Sequence, residues 1–272
     1  MSLDTQALLP AVLEIARKAG DAIMGVYESD DFDVQSKSDD SPLTRADIAS
    51  NRVIVDGLRA LDASIPVLSE ESRQAPYHER ADWSRYWLVD PMDGTKEFVK
   101  RTGEFTVNIA LVDEDGKPVL GVVYAPVLDR MYYATQGQGA YRQDGGAEPM
   151  PIRVAAYNGE KLSVVASRSH GGETLARFLD QLGEYDVVSM GSSLKLCLVA
   201  EGAAHLYPRL GPTMEWDTGA AHAIVNEAGG SVTDMSGKAL AYNKENLLNP
   251  FFMVAGNPAY PWQDVMPADI EA

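Results

Sequence analysis

The sequence predicts an α/β protein built from layered sheets and helices. Strand and helix patterns alternate through its second half, while hairpin patterns occupy much of its first half. The composition agrees, because 45% of the 272 residues are hydrophobic and 23% are charged, as in ordinary globular proteins. We therefore expect a folded chain with a sizeable core, arranged as one large domain or two fused halves.

Two amphipathic helices are predicted before the first strands. Apolar residues recur at three- and four-residue steps from Leu8 to Tyr27, and a second helix follows the polar segment near residue 40 and ends before Pro66. Runs rich in β-branched and aromatic residues then predict strands at 65–69, 86–90, 106–113 and 119–126. The turn-forming sequence DEDGK joins the last two strands as a hairpin.

A second hairpin is predicted over residues 131–146. Its GQG sequence has the letters of a phosphate loop, but no strand-then-helix context surrounds it, so we predict a turn. Beyond Pro149, strands near 162–167, 185–189 and 204–208 alternate with helices. We expect residues 1–149 to form an α+β half and residues 150–272 an α/β half. No flexible linker separates them, so one compact unit is predicted.

The charge balance narrows the classes of ligand. With 40 acidic and 23 basic residues the formal net charge is −17, which argues against binding to nucleic acid or to an anionic membrane surface. Cations would therefore have to mediate the binding of a phosphorylated molecule. Cys197 is the single cysteine and lies in an apolar run, so we expect a buried, unreactive thiol and a cytoplasmic protein. We predict no transmembrane segment, which leaves peripheral membrane association open.

The segment YWLVDPMDGTKEF, residues 86–98, carries the most informative chemistry. A strand delivers Asp90 and Asp93 to one turn, and the carbonyl of Met92 adds a third oxygen of the kind that Mg²⁺ prefers. The amides of Gly94 and Thr95 then open a short helix and could contact a phosphate. The alternative is an ordinary polar turn with an aspartate cap.

Two further acidic elements favour a metal site. Glu70 and Glu71 follow the apolar strand at 65–69, where solvated charge would ordinarily be scattered. Asp217 stands at the start of a helix with small residues along one face, and helix capping is the alternative explanation for it.

Three motifs together resemble the inositol monophosphatase superfamily of lithium-sensitive, metal-dependent phosphatases: LSEES, DPMDGTKEF and WDTGAAHAIVNEAGG. The resemblance implies an α/β/α/β sandwich, like that of inositol monophosphatase and fructose-1,6-bisphosphatase. It also implies two or three Mg²⁺ ions, and two of them would balance the formal −4 of four carboxylates. The implied metal ligands are Glu70, Asp90, the Met92 carbonyl, Asp93 and Asp217.

The same resemblance assigns catalytic roles. Asp47 would pair with the Thr95 hydroxyl, which orients the attacking water, and Glu71 would add a hydrogen bond or act as a base. The alternative for Asp47 is a charge at a helix N-terminus. Gly219 precedes the alanine pair, where many relatives place the glycine after it, and this change affects local helix packing rather than Asp217.

The second half of the chain resembles the 3′(2′),5′-bisphosphate nucleotidases through four segments: SRSH at 167–170, GSSLK at 191–195, YPR at 207–209 and the C-terminal LAYNKENLLNPFFMV. This implies a substrate with two phosphates, such as adenosine 3′,5′-bisphosphate. His170, Ser192, Lys195 and Arg209 would surround the nucleoside and its second phosphate. An ordinary loop histidine and a solvated helix lysine are the alternatives. The residues implied to contact the cleaved phosphate are Glu70, Met92, Asp93, Gly94, Thr95 and Asp217.

Two rival functions stay open at this stage. An inositol or sugar monophosphatase would use the same metals, and a catalytically silent binding protein would keep the fold alone. The presence of all the acidic motif residues argues against the silent protein. The sequence leaves a monomer and a homodimer equally open.

Overall fold

The structure, a computed structural model, describes residues 5–29, 35–36, 42–166, 172–267 and 270. Its helices are α1 (Thr5–Tyr27), α2 (Arg45–Leu61), α3 (Tyr77–Arg80), α4 (Thr95–Val99), α5 (Glu173–Gln181), α6 (Leu194–Ala200) and α7 (Glu215–Glu227), with a 3-10 turn at Trp262–Val265. Its strands are β1 (Gln35–Ser36), β2 (Pro42–Leu43), β3 (Val67–Ser69), β4 (Arg85–Asp93), β5 (Thr106–Asp113), β6 (Pro118–Ala125), β7 (Arg130–Thr135), β8 (Ala140–Asp144), β9 (Met150–Ile152), β10 (Leu162–Ala166), β11 (Tyr185–Ser189), β12 (Leu206–Arg209), β13 (Ser231–Asp234) and β14 (Phe252–Ala255).

Two main sheets form the framework. The first has seven strands in the order β3-β4-β5-β6-β7-β8-β9, and only β3 and β4 pair in parallel. The second has five strands in the order β11-β10-β12-β14-β13, with parallel pairing among β11, β10 and β12. The predicted hairpins are confirmed, because β5 pairs with β6 and β7 pairs with β8, both antiparallel.

The layers follow from the alternation of side chains along the strands. On β4, Trp87 and Val89 pack against α1 and α2, whereas Tyr86 and Leu88 pack into the core that contains α6 and α7. That inner core also takes in residues of the five-stranded sheet, whose other face is covered by α5 and the 3-10 turn. The order is therefore helices, sheet, helices, sheet and a further helix, which confirms the layered α/β fold.

The GQG sequence forms the predicted turn. The backbone amides of Gly137 and Gly139 donate to the two carboxylate oxygens of Glu227, over 2.9 and 3.0 Å. Both glycines have a positive φ, which turns their amides toward one anion. The anion is a side chain of α7, so this turn joins the seven-stranded sheet to the helix layer.

The last strand of the seven-stranded sheet, β9, begins at Met150, just past the predicted boundary at residue 149. The division of the chain into two halves at that point stays a prediction. Cys197 is buried in the inner core, and burial raises the pKa of its thiol well above the ordinary value. In the described ranges, no helix combines the length and the apolar character that a membrane crossing needs.

Candidate active site

The segment predicted to bind metal lies where β4 ends. The pairing between β4 and β5 is regular up to Asp90 and Asn108, shifts over the next residues, and resumes at Asp93 and Thr106. Gly94 follows with φ 98° and caps α4. A side chain there would be strained and would meet the Glu104 carbonyl at 3.1 Å, so only glycine fits this turn readily.

We name Glu70, Asp90, Asp93 and Asp217 the acidic corner. Burial raises the pKa of Asp90 well above its ordinary value, and the charges of the other three and of Asp47 raise it further. Burial, followed by the charge of Asp93, raises the pKa of Asp217 to about 8. These shifts show that negative charge in the acidic corner is poorly compensated by the protein itself.

Asp93 lies near the charge of Lys195, as Asp217 lies near that of Arg209. Burial raises the pKa of Asp93 to about 6, whereas Lys195 and hydrogen bonding from the Ser193 backbone act in the opposite direction. The GSSLK segment, residues 191–195, therefore lies beside the motif near residue 90 in the fold.

Asp47 serves as a helix cap and as a partner of Thr95 at once. One carboxylate oxygen accepts from the backbone and the hydroxyl of Thr44, both over 2.7 Å, at the start of α2. The other oxygen accepts from the Thr95 hydroxyl over 3.3 Å. The alternative of a charge at a helix N-terminus therefore describes one oxygen, and the contact implied by the family resemblance describes the other.

The other residues predicted to bind metal, and Glu71, also make local hydrogen bonds. Asp217 accepts from the Met214 amide over 2.9 Å, and Asp90 accepts from the Met92 amide over 3.0 Å. The Glu70 amide donates to the Val89 carbonyl over 3.1 Å, which holds the end of β3 beside β4. The backbone carbonyl of Glu71 accepts from Asn51 over 3.4 Å, and the role of its carboxylate stays a prediction.

The donor set fits a hard divalent cation. Carboxylate and carbonyl oxygens are the ligands that Mg²⁺ prefers, and a cation would relieve the repulsion recorded by the raised pKa values. Among the described residues, no three acidic, histidine or cysteine side chains already converge enough to hold an ion. A bound cation would thus have to draw mutually repelling carboxylates together.

A pocket of about 110 Å³ opens next to the acidic corner and contains three of the four side chains predicted to contact the nucleoside and second phosphate. Ser192, Lys195 and Arg209 line it together with Asp93 and Asp217. His170, the fourth, lies outside the described residues.

Lys195 does not lie on a solvated helix face, so that alternative for it is wrong. The side chain is only partly exposed, and its ammonium lies 5.9 Å from the centre of the Tyr207 ring. Burial lowers the pKa of Lys195, while the nearby charge of Asp93 raises it. Arg209 donates through Nη2 to the Pro212 carbonyl over 2.9 Å, and its buried Nε has no hydrogen-bond partner among the residues that the structure describes.

Sequence reasoning missed several residues that support the site. The Ser50 hydroxyl on α2 donates to the Pro91 carbonyl over 2.7 Å, and so fixes the turn between the two aspartates of β4. Glu215 is fully buried at the start of α7, where it accepts from Lys244 Nζ over 2.6 Å and from the Asn243 amide over 2.7 Å. Asn243 and Lys244 belong to the C-terminal segment YNKENLLNPFF, so the family resemblance of that segment was the available signal. The resemblance does not indicate that these two residues contact Glu215.

Comparison with known proteins agrees with this geometry. The model of the inositol monophosphatase family matches residues 4–259. The 3′(2′),5′-bisphosphate nucleotidase CysQ of Salmonella typhimurium is 55% identical over 249 residues, which are 91% of this chain and 99% of that protein. The nucleotidase of the same name from Escherichia coli K12 is 54% identical over 250 residues, with 91% and 99% covered.

Solved structures show the same relationship. The crystal structure of CysQ from Bacteroides thetaiotaomicron, a bacterial member of the inositol monophosphatase family, matches with a TM-score of 0.82 and 42% identity. The match covers 94% of this chain and 99% of that one. Sequence, fold and the acidic corner agree, and this chain therefore belongs to the inositol monophosphatase family, whose members are metal-dependent phosphatases.

Proposed function

We propose that this chain is a 3′(2′),5′-bisphosphate nucleotidase that uses two or three Mg²⁺ ions to remove the 3′-phosphate from adenosine 3′,5′-bisphosphate. The observation that carries the proposal is the pocket in which Asp93 and Asp217 face Lys195 and Arg209. The printed name of the bacterial relatives, which are 54–55% identical to this chain, supports the same substrate class.

The acidic corner cannot attract a phosphate by itself, because carboxylates and a phosphate repel one another. Glu70, Asp90, the Met92 carbonyl, Asp93 and Asp217 would hold the ions. When bound, Mg²⁺ supplies positive charge that polarises the phosphate and lowers the pKa of water. Asp90 and Met92 are buried and the other three ligands are half-buried, and this limited access of water makes that charge more effective than it would be in bulk water.

The protein groups beside the corner position the attacking water. The Thr95 hydroxyl lies between Asp47, at 3.3 Å, and the Met92 carbonyl, at 3.5 Å. Because the Thr95 hydroxyl donates its hydrogen bond to Asp47, the oxygen of Thr95 can accept a hydrogen bond from water and orient that water toward phosphorus. Glu71 would add a hydrogen bond or act as a base, and the amides of Gly94 and Thr95 would contact the phosphate.

Lys195 and Arg209 give the pocket its selectivity for a second phosphate. Two cationic side chains in one pocket are notable in a chain of net charge −17. A small monophosphate would leave them without an anionic ligand, whereas the 5′-phosphate of the nucleotide would pair with them. Ser192 would contribute a hydroxyl at the same wall, and His170 would contact the adenine.

The test compares substrates on the purified protein. We expect phosphate release from adenosine 3′,5′-bisphosphate with a higher kcat/KM than from inositol 1-phosphate, and loss of both activities when EDTA removes divalent cations. A preference for inositol 1-phosphate would make the chain an inositol monophosphatase. No phosphate release from either substrate with millimolar Mg²⁺ would indicate a silent binding protein.

The cellular location and the oligomeric state of the enzyme are predictions. A cytoplasmic location rests on the single, buried Cys197, which matches a reducing compartment. The choice between a monomer and a homodimer is a matter for measurement of mass in solution.

A further inference from the structure

The segment at residues 191–195, which runs from a loop into α6, is held by a buried chain of hydroxyl and amide groups against β5, the neighbour of the strand that carries Asp90 and Asp93. The Ser193 hydroxyl donates to Asn108 Oδ1 over 2.8 Å, and it lies 2.8 Å from the Thr106 hydroxyl. Since Ser193 has one hydroxyl hydrogen and gives it to Asn108, Thr106 is the donor in the second bond. The order is thus Thr106 to Ser193 to Asn108, and all three residues are buried.

The partners on β5 are the cross-strand neighbours of the predicted metal ligands. Thr106 pairs with Asp93, and Asn108 pairs with Asp90. Opposed residues of an antiparallel pair project from the same face of the sheet. The residues that hold Ser193 therefore stand beside the acidic corner, on the face that packs toward α6 and α7.

Two independent features show that the loop is tightly constrained. Gly191 lies so close to Glu97 and Glu104 that a Cβ at this position would meet the Glu104 carbonyl at 2.7 Å and Glu97 Cγ at 2.9 Å. Ser192 has φ 49°, a left-handed conformation that costs a non-glycine residue energy and persists only where neighbours hold it. The hydrogen bonds of Ser193, the next residue, help to hold this conformation.

We propose that Thr106, Asn108 and Ser193 are positioning residues that fix the 191–195 segment to β5, beside the strand that carries Asp90 and Asp93, and so place Ser192 and Lys195 for the second charged group of the substrate. This inference rests on the proposed function for the nature of that group. The positioning itself is independent of it.

The experiment compares Thr106→Val, which removes the hydroxyl with little change of volume, with Thr106→Ser, which keeps it. Thr135→Val is the matched control, because Thr135 is a buried threonine on β7 of the same sheet. The first measurement is hydrogen exchange in peptides covering residues 189–197, without substrate. We expect exchange about tenfold faster in Thr106→Val than in wild type, with wild-type behaviour in Thr106→Ser and Thr135→Val.

The second measurement is the kinetics of the same proteins on adenosine 3′,5′-bisphosphate and inositol 1-phosphate. Loss of a buried hydrogen bond predicts an increase of about 5- to 50-fold in KM for the bisphosphate in Thr106→Val, with kcat changed less than about threefold. A role in structure alone would not produce this division between KM and kcat. Thr106→Ser should restore the wild-type KM.

The positioning role would be overturned by unchanged exchange of residues 189–197 in Thr106→Val, or by faster exchange with no change of KM for any substrate that the wild type hydrolyses. Equal effects of Thr106→Val and Thr135→Val would also overturn it. If wild type fails to hydrolyse the bisphosphate, the proposed function is wrong, whereas the exchange result still decides whether Thr106 holds the loop.

Discussion

The acidic corner and the cluster around Asp144 both gather charge at the end of a strand of the seven-stranded sheet, yet their charges are organised in opposite ways. Asp144 accepts from Arg130 and Arg142, each over 2.6 Å, and Arg142 also donates to Glu201 over 2.9 Å. These four side chains, the ion-pair cluster, carry no net formal charge. Arg142 is the main cause that lowers the pKa of Asp144, whereas burial and like charges raise those of Asp90 and Asp217.

The difference separates a structural role from a functional one. A group of charges that is balanced within the protein contributes to the stability of the fold and requires nothing from outside. Buried charges of one sign cost stability in the absence of a ligand, and they are retained where a cation or substrate compensates them. Substitutions in the two groups should therefore have opposite effects on stability and activity.

The largest effect is expected for Asp93→Asn. We expect phosphate release to fall by at least about 100-fold, because the variant loses one oxygen charge of the site that holds the cation. The protein should stay folded, since the raised pKa of Asp93 indicates that the cost of burying its charge outweighs the favourable contact with Lys195 in the metal-free structure. Initial rates at millimolar Mg²⁺ and circular dichroism of the same sample check both statements, and near-normal activity would disprove the metal assignment.

Lys195→Ala should have the next largest effect, and it should be confined to binding. Loss of a charge-assisted contact of about 1.5–3 kcal/mol predicts a rise in KM for adenosine 3′,5′-bisphosphate of about 10- to 150-fold, with kcat changed much less. Inositol 1-phosphate should be nearly unaffected. Lys161→Ala is the matched control, because Lys161 forms an exposed ion pair with Asp186 away from the pocket.

The comparison must be made at one ionic strength, because salt screens such contacts. Equal weakening of both substrates by Lys195→Ala would show that the lysine is structural. An unchanged KM would show that it does not contact the second phosphate.

Asp144→Asn should lower stability and leave activity unchanged, which is the opposite of the effect expected for Asp93→Asn. Its carboxylate is about a third exposed, with relative exposure of 35%, so solvent screens part of its interaction with the two arginines. We expect the free energy of unfolding to fall by about 1–2 kcal/mol, with kcat/KM unchanged within about twofold. Urea denaturation measures the first quantity, and a loss of activity without a loss of stability would contradict the contrast.

The dependence of stability on pH should also differ in sign. A carboxyl whose pKa is raised in the folded state contributes stability below its ordinary value near 4, and this contribution is lost as pH rises through the folded value, about 8 for Asp217. Asp144 does the reverse, because its pKa is lowered, and its contribution is lost as pH falls.

In metal-free protein, Asp217→Asn should therefore be more stable than wild type at alkaline pH, by at least about 1 kcal/mol. The two proteins should converge toward pH 4. Denaturation in EDTA at several pH values measures this difference. A constant difference across the range would show that the carboxyl of Asp217 is not the group that titrates.

Sequence reasoning reached the strands, the hairpins and the acidic residues, because each depends on a short run of neighbouring residues. Asp90 and Asp93 follow an apolar strand, and DEDGK marks its hairpin without further information. The contact between Thr106 and Ser193 could not be predicted in this way. The two residues are 87 positions apart, and whether they meet depends on how two layers pack. A polar Asn108 within the apolar run TVNIALVD was the signal that could have been followed.

The most direct test of the account is the thermal unfolding temperature of wild type, Asp93→Asn and Asp144→Asn, each measured with and without millimolar Mg²⁺. Binding to the folded state raises this temperature, and the rise grows with the logarithm of the ion concentration relative to its Kd. We predict that Mg²⁺ raises it for wild type and for Asp144→Asn, and raises it far less for Asp93→Asn. An equal rise in all three proteins, or no rise in wild type, would contradict a cation site in the acidic corner.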